Sequence, residues 1–428
     1  MTASDRAEYD RQLRRELHRQ PEPAWCEFYT TSRLLRALDS REVDDVRYGP
    51  AIHAADARRN VPDASTLADW RERAREAGAP EAILDTLGAG YTGAVATVDR
   101  GEGPTVALRV DIDALPITEA ESDDHHPAAA GFRSTNEGYM HACGHDAHAT
   151  IGLGVLDRVL DSDFSGRFKL IFQPAEETIS GAKPLADAGV VDDVDYLLAT
   201  HIGLDHPSGE IVAGIDDFLA VRQFTATFEG TSAHAGARPE AGDNAVAAMA
   251  AAVQNLSGIS RSSAGGTRIN TGRVGGGTAS NIVPESAFID GEVRGETTEL
   301  MEYMWERAES VLAAAAAMYD CAVETERLGD APSAHSDAAL VDVVAHAARR
   351  TAGVDHVVDR DSLGGSEDAT YLMQRVQERG GNAAYIGVGT DHPGGHHTPT
   401  FDVDERDIAV GIDLIAGVVS DLAADETG

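Results

Sequence analysis

Short apolar runs closed by proline, glycine or an acidic residue alternate along this chain with longer stretches in which apolar positions recur every three or four residues. The first pattern predicts buried strands and the second amphipathic helices. Residues 105–113, Thr-Val-Ala-Leu-Arg-Val-Asp-Ile-Asp, read as an apolar strand that delivers Asp111 and Asp113 at its end. Residues 167–173, Arg-Phe-Lys-Leu-Ile-Phe-Gln, read as a second strand, closed by Pro174. A third, 196–200, leads to His201, and a fourth, 383–388, precedes His396 and His397. A helix is predicted from about Asp146 to Leu160. Strands alternating with helices predict an α/β fold with a mixed, largely parallel sheet flanked by helices.

The rhythm changes between 218 and 330. Strand 219–229, helix 242–256, strands 267–274 and 286–294, helix 297–318 and strand 320–327 follow the order β-α-β-β-α-β, which predicts an inserted ferredoxin-like α+β domain. Its strands alternate openly (Arg222, Phe224, Ala226, Phe228), as suits an antiparallel sheet with one wet face. The expected division is thus 1–217 and 331–428 for the main domain and 218–330 for the insert. Residues 50–92 are a charged insertion, predicted helical over 68–77 and 80–87, with nothing in it that looks catalytic.

Candidate chemistry falls just past the carboxyl ends of these strands, where open α/β sheets place their active sites. Residues 140–148, Met-His-Ala-Cys-Gly-His-Asp-Ala-His, gather three imidazoles, a thiol and a carboxylate in nine positions. Glu176 and Glu177 follow the second strand, and His201 and the late histidine pair follow the others. Such a set suits a carboxylate-rich binuclear metal site with a general base beside it. A structural zinc site would need four Cys or His ligands at paired spacings. The chain has only Cys26, Cys143 and Cys321, so the expected metal is catalytic. An adjacent glutamate pair is ordinarily a solvated turn; the preceding Gln-Pro-Ala and the Cys-Gly-His-Asp cluster reverse that reading.

The blocks that carry these residues resemble the M20 family of metallopeptidases and amidohydrolases, in its aminoacylase-like branch. They are Leu17-His18-Arg19 with Pro21-Glu22, Arg109 to Pro116, His141 to His148, Gln173-Pro174-Ala175-Glu176-Glu177, Ser232-Ala233-His234-Ala235, Ser280-Asn281-Ile282-Val283-Pro284, and His397-Thr398-Pro399-Thr400-Phe401-Asp402. Within the branch, the insertion at 50–92 and the stretch 232–245 are most similar to the A subunits of aminobenzoyl-glutamate hydrolases. The resemblance implies a metal-dependent hydrolase of an amide bond, in an N-acyl amino acid or an aminobenzoyl-glutamate-like substrate. It implies Cys143, His145, Glu177, His201 and His397 as ligands of two divalent ions, zinc or manganese, with cobalt also compatible, and Glu176 as general base. Asp113 is expected to accept a hydrogen bond from a ligand imidazole. His234 is expected at the oxyanion, with Asn281 and Arg294 holding the substrate's backbone or carboxylate. His148 is left a structural role, and His125 and His126, in Ser-Asp-Asp-His-His-Pro, are expected at the surface. The 218–330 domain is expected to act as a lid and as the interface of a homodimer, a related B subunit being the other implied partner. Competing readings are an M20 dipeptidase, a hydrolase with Cys143 as nucleophile, and a non-catalytic metal-binding protein. Retention of Glu176 argues against the last, since a pure binder needs only the ligands.

Composition adds a separate message. Asp and Glu total 72 against 35 Lys and Arg, a formal charge of −37, and lysine occurs only at Lys169 and Lys183. Nucleic acid is therefore not an expected partner, because affinity for phosphate comes from clustered Lys and Arg. The acidic residues are spread along a chain that is 42% hydrophobic, so they read as the solvated surface of a globular protein and not as an acidic tail. Self-repulsion of this size needs screening, and the Debye length falls to about 3 Å at 1 M salt, so the expected setting is halophilic. The start, Met-Thr-Ala-Ser-Asp-Arg-Ala-Glu, has no apolar signal core, and three distant cysteines make no disulfide framework; the expected compartment is the cytoplasm. The densest apolar stretch, Val311 to Met318, is too short to span a membrane.

Overall fold

Eight strands hydrogen-bond into one sheet in the order Asp45–Tyr48, Ala94–Asp99, Arg167–Gln173, Thr105–Asp111, Tyr196–Ile202, Asn382–Val388, Glu210–Val212 and His356–Val358. The structure, a computed structural model, describes residues 3–391 and 394–425. The four middle strands, from Arg167–Gln173 to Asn382–Val388, run parallel, and antiparallel pairings extend the sheet on both sides. A parallel strand in the middle of a sheet is covered on both faces, which is why every residue of Thr105–Asp111 is buried, Arg109 included, its guanidinium paired with Asp111.

Helices Ala3–His18, His145–Leu160, Ala338–Ala348 and Glu405–Asp425 share one large apolar core with this sheet. Each fully buried Leu or Phe in it stabilises the fold by roughly 1.5–3 kcal/mol. His145–Leu160 lies directly against Glu405–Asp425 because Gly154 has no side chain; a Cβ there would stand 2.3 Å from Ile412 Cδ1. Within the insertion, Ala64–Glu76, capped by Asp63, and Glu81–Leu87 bury Leu67, Trp70, Leu84 and Leu87 in a small core with Cys26 and Phe28.

The chain divides into two units. One comprises Met1–Asp216, Ala334–Leu363 and Asp368–Gly428, and the other Asp217–Ser333 with Gly364–Glu367. In the second unit the strand order is Thr267–Gly276, Ser286–Gly295, Ala220–Glu229, Ala322–Ala331, all antiparallel. Helices Ala245–Ser257 and Thr298–Ala317, capped by Asn244 and Thr297, pack on the sheet around Phe224, Ala226 and Phe228. Order and direction are those of a ferredoxin-like unit. Among the described residues no helix is long and apolar enough to cross a membrane.

Candidate metal centre

Strand ends set the centre. Thr105–Asp111 runs on to Asp113, Arg167–Gln173 is followed by Pro174, Ala175 and the glutamate pair, and His201 is the penultimate residue of Tyr196–Ile202. Gly144, with φ of 88°, turns the chain between Cys143 and the first residue of His145–Leu160. A Cβ there would stand 2.6 Å from Ile202 Cγ2 and would also be strained, so only glycine brings the thiol and the imidazole round to the same place.

The donor atoms of Cys143, His145 and Glu177 lie within 4.8 Å of one another, as do those of Cys143, His201 and His396. Cys143 links the two groups, its Sγ 3.3 Å from His201 Nε2. His397 stands on the other side of the first group, Nε2 3.7 Å from Glu177 Oε2 and half exposed. The structure thus brings both late histidines to the centre from different directions, whereas the sequence pattern singles out His397.

Second contacts decide what each ring can do. His201 donates Nδ1–H to the Ile202 carbonyl at 2.8 Å, which leaves the Nε2 lone pair facing Cys143. Burial, reinforced by His148 and His396, holds its pKa well below the ordinary value, so the ring is neutral. His148 accepts the Ile202 N–H on Nε2 at 2.8 Å and donates Nδ1–H to Asp111, so both of its nitrogens are engaged; with Asp111 and His145 it forms a third group of donor atoms lying within 4.8 Å of one another.

His145 is the reverse case. It is 1% exposed and neither ring nitrogen makes a hydrogen bond. Carboxylate oxygens surround it, with Asp113 3.3 Å from Nδ1 and Asp111 and Glu177 at 3.6 and 3.7 Å from Nε2. Burial would lower its pKa, but Asp111, Asp113 and Glu177 override burial and lift it to about 10. Asp111 is held well below the usual carboxylate range; burial opposes this, and His145, His148 and Arg109 outweigh it. A buried imidazole inside a ring of carboxylates marks a place that stabilises positive charge. Thiol, imidazole and carboxylate donors around it fit a divalent transition-metal ion.

Glu176 and Glu177 sit on a tight buried turn. Asp113 accepts the N–H of Glu176 on Oδ1 at 3.1 Å and that of Glu177 on Oδ2 at 3.0 Å. Asp113 Oδ1 thus lies 3.3 Å from His145 Nδ1, and the same side chain fixes the backbone of both glutamates. Asp111, which the sequence pattern leaves without a role, faces His145 and His148. Its spacing of two from Asp113 on an extended segment is the available signal, since such residues share a face.

The remaining site residues lie in the second unit. His234 pairs with Ile282 in a two-residue ladder, and Asn281 O accepts Ala235 N–H at 2.9 Å, so His234 and Asn281 are neighbours and both are exposed. His234 Nδ1 accepts the N–H of Gly236 and Ala237 at 3.1 and 3.0 Å, which places its proton on Nε2. The Arg294 fork is engaged by Glu292, at 2.8 and 3.1 Å, and Nη1 reaches Ser366. Arg294, Arg261 and Arg268 line one cleft.

One expectation fails. His125, expected at the surface, is 2% exposed and hydrogen-bonds Glu119 at 2.8 Å, while His18 reaches the same oxygen at 2.9 Å. The surrounding Ser-Asp-Asp reads as a solvated loop because the buried carboxylate six residues upstream is not part of the local pattern. His126 is half exposed, 2.9 Å from Asp402.

A family model described as peptidase family M20/M25/M40 matches residues 107–421. The chain is 45% identical over 421 residues to an indole-3-acetyl-aspartic acid hydrolase of Enterobacter agglomerans, covering 96% of each sequence. It is 41% identical to the A subunit of the p-aminobenzoyl-glutamate hydrolase of Escherichia coli strain K12, over 94% of this chain and 93% of that one. Among solved structures, an aminobenzoyl-glutamate utilization protein from Klebsiella pneumoniae superposes with a TM-score of 0.84 at 40% identity, over 97% of this chain and 96% of that one.

Proposed function

The chain belongs to peptidase family M20/M25/M40 and is a metal-dependent hydrolase of amide bonds, and from that premise we propose that it cleaves an N-acyl amino acid of the aminobenzoyl-glutamate kind with Glu176 as general base. The two relatives named above share, by their names, an acyl group joined through an amide to an acidic amino acid. The cleft lined by Arg261, Arg268 and Arg294, where a carboxylate, that of Glu292, already occupies the Arg294 fork, suits the carboxylates of such a product.

Two divalent ions, zinc, manganese or cobalt, held by Cys143, His145, Glu177, His201 and His397, would polarise the amide carbonyl and lower the pKa of a water toward about 7. Glu176 takes the proton from the attacking water and returns it to the leaving nitrogen. Asp113 orients His145 and the glutamate pair, His234 offers Nε2–H to the oxyanion, and Asn281 and Arg294 hold the substrate's backbone or carboxylate. The functional unit is a homodimer joined through the Asp217–Ser333 unit; the alternative is a related second chain, suggested by the relative whose name makes it one of several subunits. A reducing, salt-rich cytoplasm suits both Cys143 as a thiolate ligand and the −37 charge.

The observation that supports this reading is the turn itself: Asp113 binds consecutive amides, Glu177 faces His145 and His397, and Glu176, the residue before it on the same turn, is 5% exposed. Glu176→Gln should keep the metal content and lower turnover by roughly 10²–10⁴-fold. Near-normal turnover on N-acyl amino acids, aminobenzoyl-glutamate and dipeptides in molar KCl would end the proposal. The 3.3 Å contact between Cys143 and His201 also has the form of a thiol nucleophile with its base. Under that second reading, activity survives dialysis against a chelator and is lost to iodoacetamide; under ours, chelation abolishes it and added metal restores it.

A further inference from the structure

The glutamate turn is held from behind by a residue that the proposed chemistry does not use. Glu27 is fully buried; its Oε1 accepts the Ala175 N–H at 2.8 Å and its Oε2 accepts the Thr92 hydroxyl at 2.5 Å. Together with Asp113, which takes the N–H groups of Glu176 and Glu177, two buried acidic side chains hold three consecutive amides. Ala175 needs such an anchor. It sits at φ of 56°, a left-handed conformation that is strained for a residue bearing a Cβ, and its carbonyl is committed to the N–H groups of Ser180 and Gly181.

The far end of the turn is gripped by the same segment. Trp25 packs on Ala175 and donates its indole N–H to Ser180 Oγ at 3.1 Å and to the Arg59 carbonyl at 2.9 Å. Arg58 lies over the Trp25 and Tyr91 rings at 4.5 and 3.9 Å, and His53 donates to the Thr92 carbonyl at 2.8 Å. Arg58, Arg59, His53 and Thr92 all come from the insertion at 50–92, so the segment without catalytic residues forms the outer wall of the cradle.

We propose that Glu27 is a positioning residue for Glu176, acting through the amide of Ala175, with the 50–92 segment holding Glu27 and Trp25 in place. The proposal rests on Glu176 being the base. Removing the acceptor orphans a buried N–H on a strained turn, and a displacement of about 1 Å at the base is enough for a loss of order 10²-fold. Glu27→Gln keeps a carbonyl for Ala175 and an amide that can meet Thr92, so it should restore what Glu27→Ala loses.

The test reads two quantities. In the metal-free protein, amide hydrogen exchange over 175–181 should accelerate at least tenfold in Glu27→Ala and stay near wild type in Glu27→Gln. In the metal-loaded enzyme, Glu27→Ala should lower kcat about 10–100-fold with KM within threefold, and Glu27→Gln should lie within threefold of wild type. Unchanged exchange in Glu27→Ala, unchanged kcat, or a glutamine variant as impaired as alanine each overturns the proposal. If Glu27→Ala does not melt cooperatively, Thr92→Val is read instead, with a smaller acceleration of the same segment expected and wild-type exchange and kcat overturning the idea. A fully active Glu176→Gln would remove the base while leaving the exchange result standing, so the two failures are separable.

Discussion

The metal centre and the trio His234, Asn281 and Arg294 are built in opposite ways. At the centre, apart from the late histidines, chemistry is largely buried and groups are set by second ones: His201 by the Ile202 carbonyl, His148 between Ile202 and Asp111, and the glutamate turn by Asp113. In the second unit, His234 and Asn281 are exposed, and His234 owes its tautomer to two loop amides. Burial there is spent on the apolar core around Phe224 and Phe228 instead. An exposed imidazole is a weak oxyanion partner, because water competes for its proton and the dielectric is high. The first region is therefore preorganised by folding, while the second, in the role proposed for it, would gain strength only when a substrate or another surface excludes water.

The sharpest break in that contrast is His234→Ala. If Nε2–H meets the oxyanion in a water-excluded state, kcat should fall about 10²–10³-fold, the loss typical of one oxyanion donor, while metal affinity stays at the wild-type value. Mixing Glu176→Gln with His234→Ala then reads the assembly. Activity that reappears after subunit exchange shows that His234 serves a partner's centre; no recovery after proven exchange confines it to its own chain, and a monomer in sizing at 2 M KCl rejects the homodimer.

Asp113→Asn probes the opposite pole. Asparagine keeps one acceptor and turns a donor toward one of the two glutamate amides, so the turn and His145 lose their common anchor. Metal affinity, measured by competition with an indicator, should weaken roughly 10–100-fold, as for other groups that orient ligands. Wild-type affinity would show that the centre is rigid without Asp113 and would erase the distinction between the two regions. Together with His234→Ala, the pair forms a double dissociation: one variant moves metal affinity and the other does not.

Much of the first region is legible in the sequence because strand ends are local events. An apolar run ends in ligand types within ten positions at Asp111 with Asp113, at Glu176 with Glu177, and at His201 alone, and parallel strands bring such ends together. What stays hidden is the support between distant segments. Glu27 meets Ala175 across 148 positions and His18 meets Asp146 across 128, and no short-range pattern encodes either. His125 reads wrongly although Glu119 is only six positions away, because the buried oxygen they share is also held by His18, 101 positions from Glu119. The choice between His396 and His397 turns on backbone direction: His397 stands at φ of 59°, which sends the adjacent rings to different sides of the centre. In the second unit the element order is readable from alternation, but whether its polar residues act is not, because exposure looks the same in a solvated loop and in a site that awaits cover.

The smallest effect concerns salt, and it separates the two kinds of electrostatics again. Pairs such as Arg14 with Asp146 and Arg109 with Asp111 have fully buried side chains, where mobile ions do not penetrate and screening is weak. The excess of acidic residues is on the surface, where repulsion falls with the Debye length, from about 10 Å at 0.1 M to about 3 Å at 1 M. Raising KCl from about 0.1 to 2 M should therefore lift the melting temperature by at least about 5 °C, the shift that roughly 2 kcal/mol produces in domains of this size. Metal content at the centre should stay constant over the same range. Melting that does not respond to KCl would show that the acidic surface has another purpose, and metal loss in step with salt would show that the centre is less shielded than its burial implies.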